Sequence, residues 1–252
     1  MNIVRGWEPE KHMAGEELKA PYRVASAYES LIGKFQGAVE GAGKTFNRLT
    51  RPVLNGFTQG GDADSAEFSE CLYLKNWPCR KLSAGKRLDV VVKILETLAR
   101  SDWSLTKSTV YVNYFVITGG QAELVQSLHY DFVHDGQPDH PYFHVQLSDE
   151  MLQEEDLRSV GFTEMLKPNP LPNHCWVTSK IPTPDMTMAS VLYCLVASHC
   201  GEGMFREFAK EILPVQERLP SPQFEALKRS LEKSMTHFKS SHWFAHMGGG
   251  ME

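Results

Sequence analysis

Several features that would assign a chain to a special class are scarce or missing in this sequence. Five cysteines among 252 residues are an odd number and too few for a disulfide framework, which favours a reducing compartment. The strongest apolar run, near Ala189–Ser198, is too short to cross a bilayer, and the first residues lack the apolar centre of a signal peptide. We therefore expect a soluble, cytoplasmic protein that does not enter a membrane.

Positive charge is also in deficit, because 26 Lys and Arg face 31 Asp and Glu and leave a formal net charge of −5. This balance argues against a broad electrostatic grip on nucleic acid, although it allows a local basic patch. One basic-rich segment can supply such a patch: Lys75, Arg80, Lys81, Lys86 and Arg87. Hydrophobic residues at 42% and charged residues at 23% are typical of a chain that builds a core.

The N-terminal part of the chain has the apolar rhythm of a long helix. Between Leu18 and Leu49, apolar residues recur every three or four positions, which predicts one stripe along a helix. The glycines in this stretch predict either a break near Gly37–Gly43 or a close approach of another backbone. This stripe is our best candidate for a surface that docks a protein partner or a second copy of the chain. The Gly- and Asp-rich stretch Gly56–Glu67 predicts a boundary between an N-terminal helical segment, residues 1–55, and an α+β domain, residues 56–252. One continuous domain is the alternative.

A phosphate-loop pattern occurs inside this predicted helix. Residues 38–45 (AVEGAGKT) match its permissive form, but a phosphate loop follows a buried strand and opens a helix. Here the preceding residues continue a helical stripe instead. We therefore interpret the segment as a glycine-kinked helix with Lys44 in solvent.

The hydrophobic period changes from helical to two in the middle of the chain. Arg87–Ala99 predicts an amphipathic helix. Three runs rich in β-branched and aromatic residues follow, joined by short turns: Thr109–Ile117, Glu123–Val133 and Tyr142–Leu147. We predict an α+β fold in which a small antiparallel meander, about residues 108–148, packs against flanking helices and a long N-terminal helix.

The second and third of these runs carry polar residues on alternate positions. If the numbers of paired residues sum to 275, His129 opposes Gln146 and Asp131 opposes His144, and all four side chains share one face. A slip of one residue would bury one polar pair in the core. The apolar pattern therefore supports this register.

An imidazole beside a carboxylate is a pairing used in general acid–base catalysis. We predict that Asp131 orients His144 as a base, that His129 is the acid and that Gln146 positions the substrate. Such a set suits a hydrolase or ligand-binding protein that acts on a phosphodiester or nucleotide. His129, Asp131 and His144 also match the two-histidine, one-carboxylate set that holds a divalent metal.

The alternative interpretation gives these side chains no chemical role. An antiparallel sheet often has one wet face, where His, Asp and Gln are ordinary surface or structural residues. The chain is then a non-enzymatic interaction subunit or regulator that docks a partner through its N-terminal helix.

Overall fold

The described part of the chain is built around one large β-sheet. The computed structural model describes residues 19–41, 43–48, 53–55, 64–79, 82–133, 143–148, 151–167, 187–200, 202–216 and 218–220. The strands are β1 (Thr45–Arg48), β2 (Val53–Asn55), β3 (Ser65–Trp77), β4 (Arg87–Ala99), β5 (Leu105–Thr118), β6 (Gln121–Val133), β7 (Phe143–Ser148) and β8 (Met165–Leu166). Neighbours in the order β1-β3-β4-β5-β6-β7 are antiparallel, β2 is antiparallel to β3, and β8 is parallel to β6.

Four helices accompany this sheet in the described residues: α1 (Lys19–Gly41), α2 (Glu154–Ser159), α3 (Met188–His199) and α4 (Glu202–Gln216). The α+β prediction is therefore confirmed. The predicted meander corresponds to β5, β6 and β7, but it is only part of an eight-stranded sheet that β3 and β4 extend. Most of the predicted boundary Gly56–Glu67 lies outside the described residues, so the division at residue 56 stays a prediction.

The segment Arg87–Ala99 is strand β4, so the amphipathic helix predicted there is wrong. It is hydrogen-bonded to β3 on one side and to β5 on the other. Alternate residues from Leu88 to Leu98 face the main core, whereas Val91 lies in the cluster on the opposite face. Apolar residues on both faces of a central strand can imitate helical spacing, and the pairing with two neighbouring strands decides the outcome.

Helix α1 ends at Gly41, which confirms the alternative of a break near Gly37–Gly43, and residues Thr45–Arg48 form β1 instead of continuing the helix. The Gly43 N–H donates to the Glu40 carbonyl at 2.8 Å, and the Lys44 N–H donates to the Val39 carbonyl at 3.1 Å. These are the two bonds of a Schellman motif, with Gly43 at φ +69°. The GAGKT sequence is therefore a helix stop that needs glycine at this φ.

The sheet buries a separate apolar cluster on each face. Helices α1, α3 and α4 cover one face, called here the helix-covered face, where residues such as Phe35, Leu192 and Phe208 pack on the strands. The segment around α2 covers part of the other face, called here the α2 face, through residues such as Leu157 and Phe162. The second cluster is smaller, and polar residues follow it along β5, β6 and β7.

The apolar stripe of α1 is buried inside the chain itself. Tyr28, Leu31 and Phe35 belong to the main core and are at most 1% exposed. Among the large apolar side chains that the structure describes, Tyr22 on α1 and Met165 on β8 are exposed. A partner that docks on α1 would therefore have to use residues such as Tyr22 instead of the predicted stripe.

A buried carboxylate joins the sheet to two of the helices. Glu96 of β4 accepts hydrogen bonds from the Tyr28 hydroxyl of α1, from Ser108 Oγ at 3.0 Å and from the backbone N–H of Met188 at 2.8 Å. Met188 is the first residue of α3, so the carboxylate also binds an otherwise unpaired N–H of that helix terminus. Burial and the charge of Glu96 raise the pKa of Tyr28 well above its ordinary value. Glu96 therefore fixes α1 and α3 against the same strand.

Candidate functional site

The predicted register of the β6–β7 hairpin is confirmed. His129 pairs with Gln146 and Asp131 pairs with His144, with Leu128, Tyr130 and Phe132 opposite Leu147, Val145 and Phe143. Leu128, Tyr130 and Phe132 belong to the core of the helix-covered face. Since side chains alternate along a strand, His129 and Asp131 lie on the α2 face.

A β-bulge in β6 determines which face this pair occupies. Tyr114 pairs with Gln126 but Phe115 pairs with Leu124, so Val125 is the extra residue. On the turn side of the bulge, Leu124 belongs to the cluster of the α2 face. After Val125, the odd-numbered residues of β6 lie on the α2 face instead of the even-numbered ones. His129 and Asp131 therefore lie on the same face as Leu124.

His129 and Asp131 are in direct contact. His129 Nε2 lies 3.0 Å from Asp131 Oδ2, and their side chains are 20% and 9% exposed. Thr109 of β5 donates from its Oγ1 to the other carboxylate oxygen of Asp131 at 2.7 Å. The ring of Tyr111 stacks on the His129 imidazole with 4.4 Å between centroids and 13° between planes. We call these four residues the His129 cluster.

The His129 cluster holds one imidazole in a defined orientation. Thr109 donates to the Asp131 carboxylate, His129 Nε2 lies 3.0 Å from the same carboxylate, and the Tyr111 ring stacks on the imidazole. A neutral imidazole carries its proton on one ring nitrogen, and the tautomer protonated at Nε2 leaves the lone pair on Nδ1.

Sequence reasoning missed Thr109 and Tyr111, which come from the neighbouring strand. Their pairing with Asp131 and His129 follows from the β5–β6 register. The turn at residues 118–121 predicts the pairing near it, but the bulge at Val125 shifts the partners beyond by one residue. Only a bulge assignment could have placed Thr109 opposite Asp131.

The other predicted residues of the site belong to β7. Gln146 is exposed, directly across from His129. The backbone of His144 lies across from Asp131, but its side chain lies outside the described part of the chain. The contact that the structure shows for Asp131 is with His129, so the orientation of His144 by Asp131 stays a prediction.

The structure describes the side chains of two of the three predicted metal ligands. Among the residues that the structure describes, no group of three or more His, Cys, Asp or Glu side chains is placed to hold a metal ion. His129 and Asp131 are together, and the third proposed ligand is the side chain of His144. A metal at this position therefore stays a prediction.

Residues 151–166 border the site along the sheet, and hydrogen bonds and an ion pair hold them in place. Asn113 donates from Nδ2 to Ser127 Oγ at 2.9 Å and accepts the backbone N–H of Leu152 at 2.8 Å. Farther along, Lys93 Nζ lies 2.7 Å from Asp156 Oδ2 of α2. These contacts hold residues 151–166 on the α2 face beside the His129 cluster.

No protein-family model, no curated protein and no solved structure matches this chain. In the described ranges, none of the helices is both long and apolar enough to pass through a bilayer.

Proposed function

We propose that the protein is a hydrolase of small phosphodiesters or nucleotides, with the His129 cluster as its reactive centre. The contact between His129 and Asp131, on a partly exposed part of the α2 face, is the observation that carries this proposal. A surface imidazole without a role needs no buried carboxylate, no threonine to fix that carboxylate and no stacked ring.

The shared register gives each group a role in the reaction. His129 Nδ1 accepts a proton from the attacking hydroxyl or water as the new oxygen–phosphorus bond forms, and Asp131 stabilises the resulting imidazolium. The bond from phosphorus to the leaving oxygen breaks, and that oxygen takes a proton from His144 across the hairpin. Gln146 donates to a phosphoryl oxygen. This assignment exchanges the roles first predicted for the two histidines, because Asp131 contacts His129.

The proposed substrate is small. A long nucleic acid needs clustered Lys and Arg to hold its phosphates, and a chain with a net charge of −5 is poorly suited to that. A dinucleotide, a cyclic nucleotide or a similar diester needs one reactive phosphate and few charges. The imidazole pair supplies positive charge at that phosphate while the reaction proceeds.

The proposal predicts a large loss of turnover when the imidazole is removed. His129→Gln should lower kcat by about 10²- to 10⁴-fold, the usual contribution of a general base. Turnover of a 2′,3′-cyclic nucleotide, a dinucleotide and bis(p-nitrophenyl) phosphate, with and without EDTA, is the measurement. Insensitivity to EDTA in the wild type separates the metal-free mechanism from the metal version.

Asp131→Asn tests the pairing, and Asp156→Asn is its matched control. Both remove one carboxylate from the α2 face, but Asp156 pairs with Lys93 and should leave turnover unchanged. No hydrolysis of any probe by the wild type, or equal activity in His129→Gln and the wild type, would contradict the proposal. That result would leave the non-enzymatic interpretation, with a structural role for the His129 cluster.

A further inference from the structure

A polar cavity lies at the end of the sheet where β3 ends and β4 begins. It has a volume of about 380 Å³ and is formed by the start of β1, the end of β3 and the connection from β3 to β4. Its polar and charged lining residues are Lys44, Asn76, Trp77, Ser83, Lys86 and Arg87. We call it the β3–β4 cleft.

The charge in the wall of the β3–β4 cleft is of one sign. Lys44, Lys86 and Arg87 line it, and none of the lining residues is acidic. Arg87 is held by Asp89, 3.1 Å from its Nε, and by Glu164. Lys44 makes no ion pair with any carboxylate in the described residues, and the Schellman turn at Gly43 fixes its backbone at the cleft. The cleft therefore favours an anion.

The lining also includes one buried indole and two further polar residues. Trp77 is 2% exposed and lines the cleft, and its Nε1 has no hydrogen-bond partner in the described part of the structure. Its ring packs beside Phe35 and His199 on the helix-covered face. Asn76 and Ser83 add polar groups to the lining.

The β3–β4 cleft is separate from the His129 cluster. Leu88, which lines the cleft, lies on the helix-covered face, whereas the His129 cluster lies on the α2 face. Leu95, the β4 residue that pairs with Thr109, is seven residues along the strand from Leu88. At about 3.3 Å per residue, this is roughly 23 Å. The two regions cannot share one small ligand.

From these observations we infer that the β3–β4 cleft binds the phosphate group of a small phosphorylated molecule. A cationic lining that includes no carboxylate matches a group that carries close to two negative charges at neutral pH better than a single carboxylate. Lysine acts on phosphate as a point charge, so it needs no bidentate geometry. The apolar side chains of Leu82 and Leu88 beside the cations leave room for an organic part of the ligand.

Calorimetric titration of the full-length chain tests this inference with inorganic phosphate, pyrophosphate and a mononucleotide. Lys44→Gln should weaken the binding of pyrophosphate by about ten-fold or more, the usual effect of losing one charge-assisted contact. Lys86→Gln is the second variant. Lys107→Gln is the matched control, because it removes the same charge from an exposed residue near the other end of the sheet, opposite Thr97.

A second readout follows Trp77 directly. The chain has five tryptophans, and one of their indole N–H resonances should shift when phosphate binds. Tighter binding of the mononucleotide than of inorganic phosphate would identify a nucleotide-like ligand, and equal binding would identify the phosphate group alone. No heat and no resonance shift with any probe, or equal weakening in Lys44→Gln and Lys107→Gln, would overturn the inference. Activity of the His129 cluster does not enter either measurement.

Discussion

Glu96 and Asp131 lie on opposite faces of the same part of the sheet, since Glu96 pairs with Ser108 and Asp131 pairs with the next residue, Thr109. Glu96 receives its hydrogen bonds from α1, β5 and the start of α3. Asp131 accepts a hydrogen bond from Thr109 of the neighbouring strand β5 and contacts His129 of its own strand. The first carboxylate joins distant elements, whereas the second orients a group that can carry a proton.

The two histidines with described side chains differ in the same way. His199 of α3 lies between Trp77 and Tyr114 on the helix-covered face, and its Nδ1 is 2.9 Å from the Pro78 carbonyl. Burial lowers its pKa, so this imidazole is held neutral. His129 has a carboxylate partner and a solvent-accessible part. His199 thus joins α3 to the segment after β3, whereas His129 contacts a carboxylate of its own strand on the other face of the sheet.

The largest expected effect is on the helix-covered face. Glu96→Ala leaves the Tyr28 hydroxyl, the Ser108 hydroxyl and the Met188 N–H without their acceptor, and should lower the free energy of unfolding by about 4 kcal/mol. Glu123→Ala is the control, because Glu123 makes an exposed ion pair with Lys167 and should cost less than about 1 kcal/mol. Urea unfolding measures both. Similar losses in the two variants would contradict the structural role of Glu96.

The next effect is the response of stability to acid. The folded state keeps His199 neutral because its pKa is lowered, so the unfolded state binds more protons as the pH falls below about 6.5. The free energy of unfolding should therefore decrease on acidification by up to about 1.4 kcal/mol per pH unit from this group.

His199→Gln should remove that part of the pH dependence. Urea unfolding of both proteins at pH 7 and at pH 5 measures the difference. The stability of the wild type should fall more steeply than that of the variant. Parallel changes in the two proteins would show that His199 is not held neutral, and the contrast with His129 would be lost.

The smallest effect concerns the cover of the α2 face. Burial raises the pKa of Cys71 to about 12, and its Sγ lies 3.8 Å from the Asp156 carbonyl of α2. At pH 8 only about one thiol in ten thousand is then ionised, so alkylation of Cys71 should be much slower than that of the half-buried Cys79. Peptide mapping after iodoacetamide treatment measures both rates. Rapid modification of Cys71 in the folded protein would show that α2 leaves this face easily.

The sequence predicted the β6–β7 hairpin well because that hairpin has one apolar and one polar face. The parity of Leu128, Tyr130 and Phe132 against His129 and Asp131 admits a single register. The same criterion fails for β3 and β4, which are central strands with apolar residues on both faces. Their alternation is hidden, and only the pairing between distant segments reveals it.

The candidate site was predictable only in part for a related reason. His129 and Asp131 stand two residues apart on one strand, so their common face follows from local sequence alone. Thr109 and Tyr111 reach them across a register that the bulge at Val125 shifts. Likewise, the lining of the β3–β4 cleft brings Lys44 next to Lys86 and Arg87, which no local pattern joins.

The bulge at Val125 also determines how the hairpin would respond to the deletion of a residue. Deleting Val125 would remove the bulge from the β5–β6 pairing, and each later residue of β6 would then occupy the opposite face of the sheet. The side chains of His129 and Asp131 would then lie in the apolar core beneath the helices, whereas Tyr130 and Phe132 would lie on the α2 face. A single-residue deletion four positions before His129 would thus exchange the two faces of the outer part of the strand.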